Sequence, residues 1–357
     1  MLEATSTEEE PRPLVVRGCE TLYHEAPGQP KLVIVSDLPL EAPVRTAMHQ
    51  MTQAIKLTLK DRGFRAGRWS VGYVVCDDSG PKGHYSRSRC VANAERAARV
   101  RNVVGVIGTL DSACARAELP VLAAAGIVMV GPLNTADDLT HVPGRYARLS
   151  ASDSAQAAAA AQFIRKSGAK TVAVVSDGSA AGQTYARAFV AHLDGLRAVG
   201  GPADAAYVAG ALSERSAALL HATRARTRGP VVLPQTFGPA AQLGSLAGRD
   251  ADGVYLVVAG VDTAAAFDAH FEGELGTPPH PYAVYAAQAA QVLLEAIAAS
   301  DGSRDSVRRA VFASRAVGPL GTIAFDANGD PQPAPVTVFR VRHGEAAPLR
   351  IENSGVR

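Results

Sequence analysis

Aromatic side chains are scarce in this chain, at 5% of 357 residues with a single tryptophan. That scarcity argues against a stacking platform for single-stranded nucleic acid. An excess of charge is also lacking. The formal net charge is +2, so no strong field selects a polyanion. The one basic cluster, Arg224, Arg226 and Arg228, reads as a solvated helix end, and no nucleic-acid partner is expected. No apolar run is long enough to span a bilayer. The best, Val121 to Val130, is short and meets Gly131-Pro132. Met1 to Pro13 is acidic, carries prolines and lacks the apolar stretch of a signal peptide. Without such a stretch Cys19, after Arg17-Gly18, is not read as a lipid-anchor site.

Enzyme signatures are missing too. There is no P-loop, no H-E-x-x-H and no G-x-S-x-G. Gly244-Ser-Leu-Ala-Gly248 has its serine in the wrong place for a nucleophile elbow. Gly105-Val-Ile-Gly108 hints at a dinucleotide loop but lacks the third glycine and the acidic partner. The nine histidines are scattered and no C-x-x-C pair exists, so spacing gives no metal signature. Asp326-Ala-Asn-Gly-Asp330 lacks most calcium-loop positions and reads as a hairpin turn. No catalytic residue, cofactor or metal is expected.

What is present is a globular composition, 47% hydrophobic and 20% charged, in a chain long enough for two domains. Strands and helices alternate. Leu32 to Val35 is an apolar strand. Arg45 to Asp61 carries Ala47, Met51, Ile55 and Leu59 at helical spacing and stops at Gly63. Strand Ser70–Val75, helix Val91–Val100, strand Val103–Ile107, helix Ser112–Ala125 and strand Ile127–Val130 follow. Continuous apolar strands between helices predict parallel sheets covered on both faces. The pattern then restarts: Lys31-Leu-Val-Ile-Val-Ser-Asp37 is echoed by Lys170-Thr-Val-Ala-Val-Val-Ser-Asp177. Two such halves would face each other across a cleft lined by strand C-termini, where open α/β sheets bind ligands.

Two loops of the first half suit a polar ligand. Gly108-Thr-Leu-Asp-Ser112 ends at a helix N-terminus, which attracts a carboxylate. Ser112 adds a hydroxyl donor, or simply caps the helix. Asp111 could accept an ammonium group. Asn134 and Thr135, after the strand ending at Val130, suit an amino group or a turn with a cap.

All four cysteines, Cys19, Cys76, Cys90 and Cys114, lie in the first third of the chain. An even, clustered set suits two disulfides and an oxidising compartment. Cys76 with Cys90 closes the shortest loop and is favoured, leaving Cys19 with Cys114. Pairing of Cys90 with Cys114 stays open.

The run Val103-Val-Gly-Val-Ile-Gly-Thr-Leu-Asp-Ser-Ala-Cys114, through Leu119-Pro-Val-Leu122 to Gly126-Ile-Val-Met-Val-Gly-Pro-Leu-Asn-Thr135, resembles the branched-chain amino acid (Leu/Ile/Val) solute-binding proteins of ABC transporters. Ser36-Asp-Leu-Pro-Leu40, Cys76-Asp-Asp78 and Cys90 resemble an actinobacterial branch, and Phe325-Asp-Ala-Asn-Gly-Asp330 in the tail is similar as well. The resemblance implies the type I periplasmic binding protein fold: two Rossmann-like α/β lobes, parallel sheets covered by helices, and three crossovers. It places the first lobe at 31–146 plus 260–318 and the second at 147–259 plus 319–345. An N-terminal arm, 1–30, and a tail, 346–357, lie outside them. It implies extracytoplasmic capture of an amino acid-like small molecule for ABC permease subunits. A sensory domain of the same fold is the alternative. Carried over by position, Ser112 holds the ligand carboxylate, Asn134 and Thr135 the amino group, and Leu38 to Leu40 form the first cleft loop. In the second lobe, Ser179 and Ala181 fall in a cleft loop where the family often has a tyrosine. Tyr185 stands one turn further on. The family's acidic residue falls near Gln235 or Thr236, and one strand–helix unit looks missing between Ser213–Arg226 and Gly253.

Disulfide content is open to a direct check. Native protein should expose no reactive thiols, and four should appear only after denaturation with a reductant; four after denaturation alone would remove both bridges.

Overall fold

The computed structural model describes residues 19–81, 85–141, 144–260 and 265–353. The acidic arm Met1 to Pro13 and the last residues of the tail, 354–357, lie outside them.

The first half runs β1 (Leu32–Leu38), α1 (Arg45–Asp61), β2 (Arg65–Ala66), β3 (Trp69–Asp77), α2 (Arg87–Arg99), β4 (Val103–Gly108), α3 (Ser112–Ala124), β5 (Val128–Gly131) and β6 (Tyr146–Arg148). Its sheet has the order β2-β3-β1-β4-β5-β6, parallel apart from the short β2. Every residue of β1 is buried, as a central parallel strand with helices on both faces requires. The stripe Ala47, Met51, Ile55 and Leu59 buries one face of α1.

The second half runs α4 (Asp153–Lys166), β7 (Thr171–Ser176), α5 (Ala180–Val190), β8 (Arg197–Ala198), β9 (Ala205–Ala209), α6 (Glu214–Arg224), β10 (Val231–Pro234), α7 (Ala240–Ala247) and β11 (Tyr255–Ala259). The tail adds α8 (Ala265–Leu275), α9 (Ala283–Ala298), α10 (Arg304–Ala313), β12 (Arg315–Gly318), β13 (Gly321–Phe325), β14 (Pro331–Gln332), β15 (Pro335–Arg342) and β16 (Glu345–Asn353). The second sheet is ordered β16-β15-β11-β10-β9-β7-β8, with β15 and β16 antiparallel. Helix α7 fills the stretch between β10 and β11 where a unit looked missing. The link that carries no helix is 199–204, between β8 and β9. The tail expected beyond 345 is also partly structured, because β16 extends the sheet.

The tail helices return to the first half. Helix α9 is apolar almost all round and buried almost all round, packed on α1 and β4. It comes so close that a Cβ on Gly105 would lie 2.7 Å from the Leu293 side chain. Arg304, opening α10, donates to the carbonyls of Val103, Ala125, Ala98 and Val100. A cation thus sits at the C-terminal ends of α2 and α3, where the helix dipole favours it. In the second half the small side chains of Ala157, Ala159, Ala160 and Ala161 bury α4 against β10, β11 and β15. Phe189 stacks on Tyr207 with ring centroids 4.2 Å apart.

The disulfides are Cys19–Cys76 and Cys90–Cys114, which corrects the favoured pairing of Cys76 with Cys90. The reason is geometric. Residues 19–23 run antiparallel to β3, setting Cys19 opposite Cys76. Cys90 lies on α2, which packs on α3 and meets Cys114 there.

The ends of β6 and of the tail hairpin meet at Arg148, whose side chain is 1% exposed. Its Nε donates to Asp330 Oδ1 at 2.5 Å, Nη1 to the Ala136 carbonyl at 2.8 Å and Nη2 to Thr140 Oγ1 at 3.0 Å. The Arg148 N–H donates to the Gly329 carbonyl at 2.9 Å. Gly329 has φ +100°, and a Cβ there would lie 2.0 Å from the Tyr146 carbonyl oxygen, so only glycine fits. Removing one partner of a buried ion pair strands the other charge, at a cost of about 3–5 kcal/mol. Asp330→Asn should fall near the low end, because Asp330 is 31% exposed, and chemical denaturation should show the loss. Stability equal to that of the parent would deny the pair this role.

Candidate functional site

The first sheet changes direction at β1 and β4: the chain leaves β1 toward β3, then returns to place β4 on the other side. Loops diverge there at the strand C-termini. Leu38 and Leu40 belong to this region, yet both side chains are buried in the core, and the Leu40 N–H donates to Asp77 Oδ1 at 3.0 Å. At the α3 N-terminus the cap is Asp111, not Ser112: Asp111 Oδ1 accepts the Ala113 N–H at 2.7 Å. Ser112 is the first helical residue and carries its hydroxyl at the positive end of the helix. Asn134 is committed elsewhere. Its Oδ1 accepts from the Tyr146 hydroxyl at 2.8 Å and its Nδ2 donates to the Leu110 carbonyl at 3.2 Å. It therefore joins the loop after β5 to the loop before α3.

Thr135 leads to the other half. Its carbonyl accepts the Asp153 N–H at 2.8 Å, and its hydroxyl lies near enough to the Asp153 carboxylate to favour the charged form. Tyr185, buried on α5, sets its hydroxyl against Thr236 and Asp153. Thr236, just past β10, also donates to the Gly210 carbonyl at 2.5 Å. The C-terminal edges of both sheets therefore converge on Asp153. Burial raises its pKa to about 6, against the lowering effect of the Thr135 hydroxyl. Among the described residues, Asp153 Oδ1 and Gln156 Oε1 are buried without partners. At i and i+3 they share one face of α4, so this face offers two acceptors and asks for a donor.

Other positions named from the sequence fall beside this group. Ser179 caps α5 by accepting the Gly182 N–H, and donates to Asp177 Oδ1 at 2.6 Å. Ala181 is exposed on the first turn of α5. Gln235 Oε1 accepts the Ala259 N–H at 3.2 Å and so ties β10 to β11. Asp153 escaped the sequence reading because Ser152-Asp153 before an alanine-rich helix reads as a cap. The cap is Ser152, which accepts the Ala155 N–H, and Asp153 is left for other work. Two surface grooves, of about 460 and 440 Å3, lie instead on the tail helices. The arginines of the larger, Arg308 and Arg309, are already held by Asp305.

Beneath the β1/β4 switch point lies a second polar group. Asp37, Asp78 and Glu118 are buried together beside the Cys90–Cys114 bridge, and Asn93 Nδ2 donates to Asp37 Oδ1 at 2.9 Å. Burial, and the mutual repulsion of the carboxylates, push all three above the usual range.

Residues 38–225 match a family model described as periplasmic binding protein. No curated protein matches the chain. A leucine binding protein from Thermotoga maritima is similar in structure, at 21% identity and TM-score 0.71, covering 90% of this chain and 99% of its own. An ABC transporter substrate-binding protein from Desulfitobacterium hafniense, in complex with Leu, shares 19% identity at TM-score 0.73 over 89% and 99% of the two chains. A solute binding protein from R. palustris, in complex with benzoate, shares 19% at TM-score 0.67 over 90% and 96%. At these identities the likeness is one of fold.

The buried carboxyls give a pH signature. Their folded-state pKa values exceed the unfolded ones, so the folded state holds their protons more tightly and the contribution of these three groups to stability falls as pH rises above about 4. Asp78→Asn removes one such group. Its melting temperature should exceed the parent's at pH 8, with the gap closing toward pH 4; a variant less stable at every pH would contradict this.

Proposed function

The chain belongs to the periplasmic binding protein family, and from that premise we propose that it captures a small polar ligand between two lobes for the permease of an ABC importer. The lobes are 31–146 plus 260–318 and 147–259 plus 319–345, the second continued by β16. The observation that carries this reading is the convergence of both sheet edges on Asp153, with Thr135 from one side and Tyr185 and Thr236 from the other. One carboxylate oxygen and one amide oxygen without partners among the described residues favour a ligand with an ammonium or amide donor. Ser112 and the α3 N-terminus suit the ligand's own carboxylate. Asp111 already holds one of the N–H groups there, so a carboxylate meets a partly occupied terminus. An amino acid or a related amide answers both ends. The two disulfides support an extracytoplasmic setting. A sensory domain of the same fold would bind in the same way; permease and ATPase genes beside this one separate the two.

A thermal-shift screen against amino acids, amides and small carboxylates tests the ligand class, since binding to the folded state raises the melting temperature. Amine-bearing carboxylates should give the shift. Asp153→Asn should weaken them about tenfold or more, in line with the loss of a charged hydrogen bond of about 1.5–3 kcal/mol. In the parent, affinity should drop as pH falls through about 6, where Asp153 takes up its proton and loses the charge that pairs with an ammonium. Ser112→Ala should weaken binding without unfolding the chain. Equal binding of amine-free acids, indifferent to Asp153→Asn and to pH, would sink the assignment.

A further inference from the structure

Helices α2 and α3 and the end of β3 bring Cys90, Cys114, Glu118 and Asp78 together in the first half. One ligand atom from each, two sulfurs and two carboxylate oxygens, lies within 4.8 Å of all the others, and all four residues are buried. Cys114 Sγ is 3.2 Å from Asp78 Oδ2 and 3.3 Å from Glu118 Oε1. A bridged sulfur has no hydrogen to give, so in the oxidised protein any hydrogen bond here comes from a protonated carboxyl O–H. The second oxygen of Asp78, Oδ1, is buried with no partner, on a residue with no exposed surface. The nearby cation, Arg89, is held by Asp77 at 3.1 Å. A disulfide is at ease in apolar packing and asks for no carboxyl neighbours, whereas two buried carboxyls beside it carry a desolvation cost. Two thiolates with two carboxylates are, however, a donor set that suits Zn2+.

We propose that reduction of the Cys90–Cys114 bridge converts this cluster into a four-ligand zinc site. The bridge accepts two electrons and two protons from a dithiol, which closes to its own disulfide, and two thiols result. Zn2+ then binds both sulfurs and one oxygen each from Asp78 and Glu118, and releases to solvent the two thiol protons and any proton on the carboxyls. Tetrahedral Zn–S bonds of about 2.3 Å set the sulfurs about 3.8 Å apart. That separation fits inside the 4.8 Å envelope the four atoms already occupy. The bridge and the metal exclude each other, so the oxidised chain cannot hold zinc here. The two cysteines stand 24 residues apart on different helices, which is why no C-x-x-C spacing announces the site.

The test uses full-length Cys19→Ser/Cys76→Ser protein, which leaves only this bridge. It is reduced with dithiothreitol, desalted without oxygen and titrated with Zn2+, beside the same protein left oxidised. The reduced form should take up one additional Zn2+ per chain. Co2+ in its place should show a thiolate-to-cobalt charge-transfer band, and Glu118→Gln should lower affinity at least tenfold. Equal uptake by both forms, no thiolate band, or indifference to both Glu118→Gln and Asp78→Asn would overturn the proposal. If the double serine variant does not fold, the parent is compared with Cys90→Ser/Cys114→Ser. Loss of the reduction-dependent zinc in that variant supports the site, and its survival there overturns it.

Discussion

A guanidinium removed from water sits where the chain passes between its two halves. Arg148 ends β6, the last strand of the first sheet, and five residues later the chain is in α4 of the second half. Asp330, which neutralises it, ends the turn that leads into β14 and β15. The attraction is strengthened because the Arg148 side of the pair is out of water, and its loss is costly for the same reason. Thr140 completes the arrangement by donating to Asp330 Oδ2 at 3.1 Å while accepting from Arg148. Two chain passages are therefore held to one point, and the placement of Asp153 relative to the first sheet depends on it.

The polar groups at the sheet edges divide by what they already hold. Asn134, Gln235, Ser179 and Asp111 spend their hydrogen bonds on nearby backbone and side chains. Gln156 Nε2 does the same toward the Ala151 and Ser152 carbonyls, but Asp153 Oδ1 and Gln156 Oε1 find no partner among the described residues, and an unmade buried hydrogen bond costs about 1–3 kcal/mol per group. A ligand donor that meets them recovers that cost, which is how a binding site stores affinity before the ligand arrives.

Much of this was legible in the residues. Helix α1 runs from Arg45 to Asp61 as its apolar spacing and the following Gly63 predict, and the turn at Asp326 is a hairpin whose Oδ1 accepts three backbone N–H groups. Periodicity and turn chemistry are local, so one sequence reports them. The disulfide partners depended on which face of α2 meets α3, a packing outcome that loop length does not encode. Leu38 is the last residue of β1 and Leu40 lies two beyond it, and strand residues alternate faces; the core claimed both side chains. Asp153 was hidden by a neighbour that does the capping. Its value to a site comes from Tyr185 and Thr236, which are far away in sequence and close only in the fold.

The way α4 begins also says which contact would report closure. Leu149 N–H donates to the Gly131 carbonyl, the Ser150 hydroxyl to the Pro132 carbonyl, and Asp153 N–H to the Thr135 carbonyl. Ser154 bonds Asp137 through both its N–H and its hydroxyl. The first turn of α4 is thus pinned to loops of the first half, although the helix itself packs in the second. Tyr185 and Thr236 ride on the second sheet. In the closure proposed for a ligand, a rotation of one half against the other must then strain either these links of α4 to the first half or the packing of α4 on α5, which carries Tyr185. A ligand that bridges Asp153 and the second half shifts the population toward the closed form by its preference for that form alone. Micromolar binding supplies about 8 kcal/mol in all, and only the share spent on contacts absent from the open form can hold the halves together.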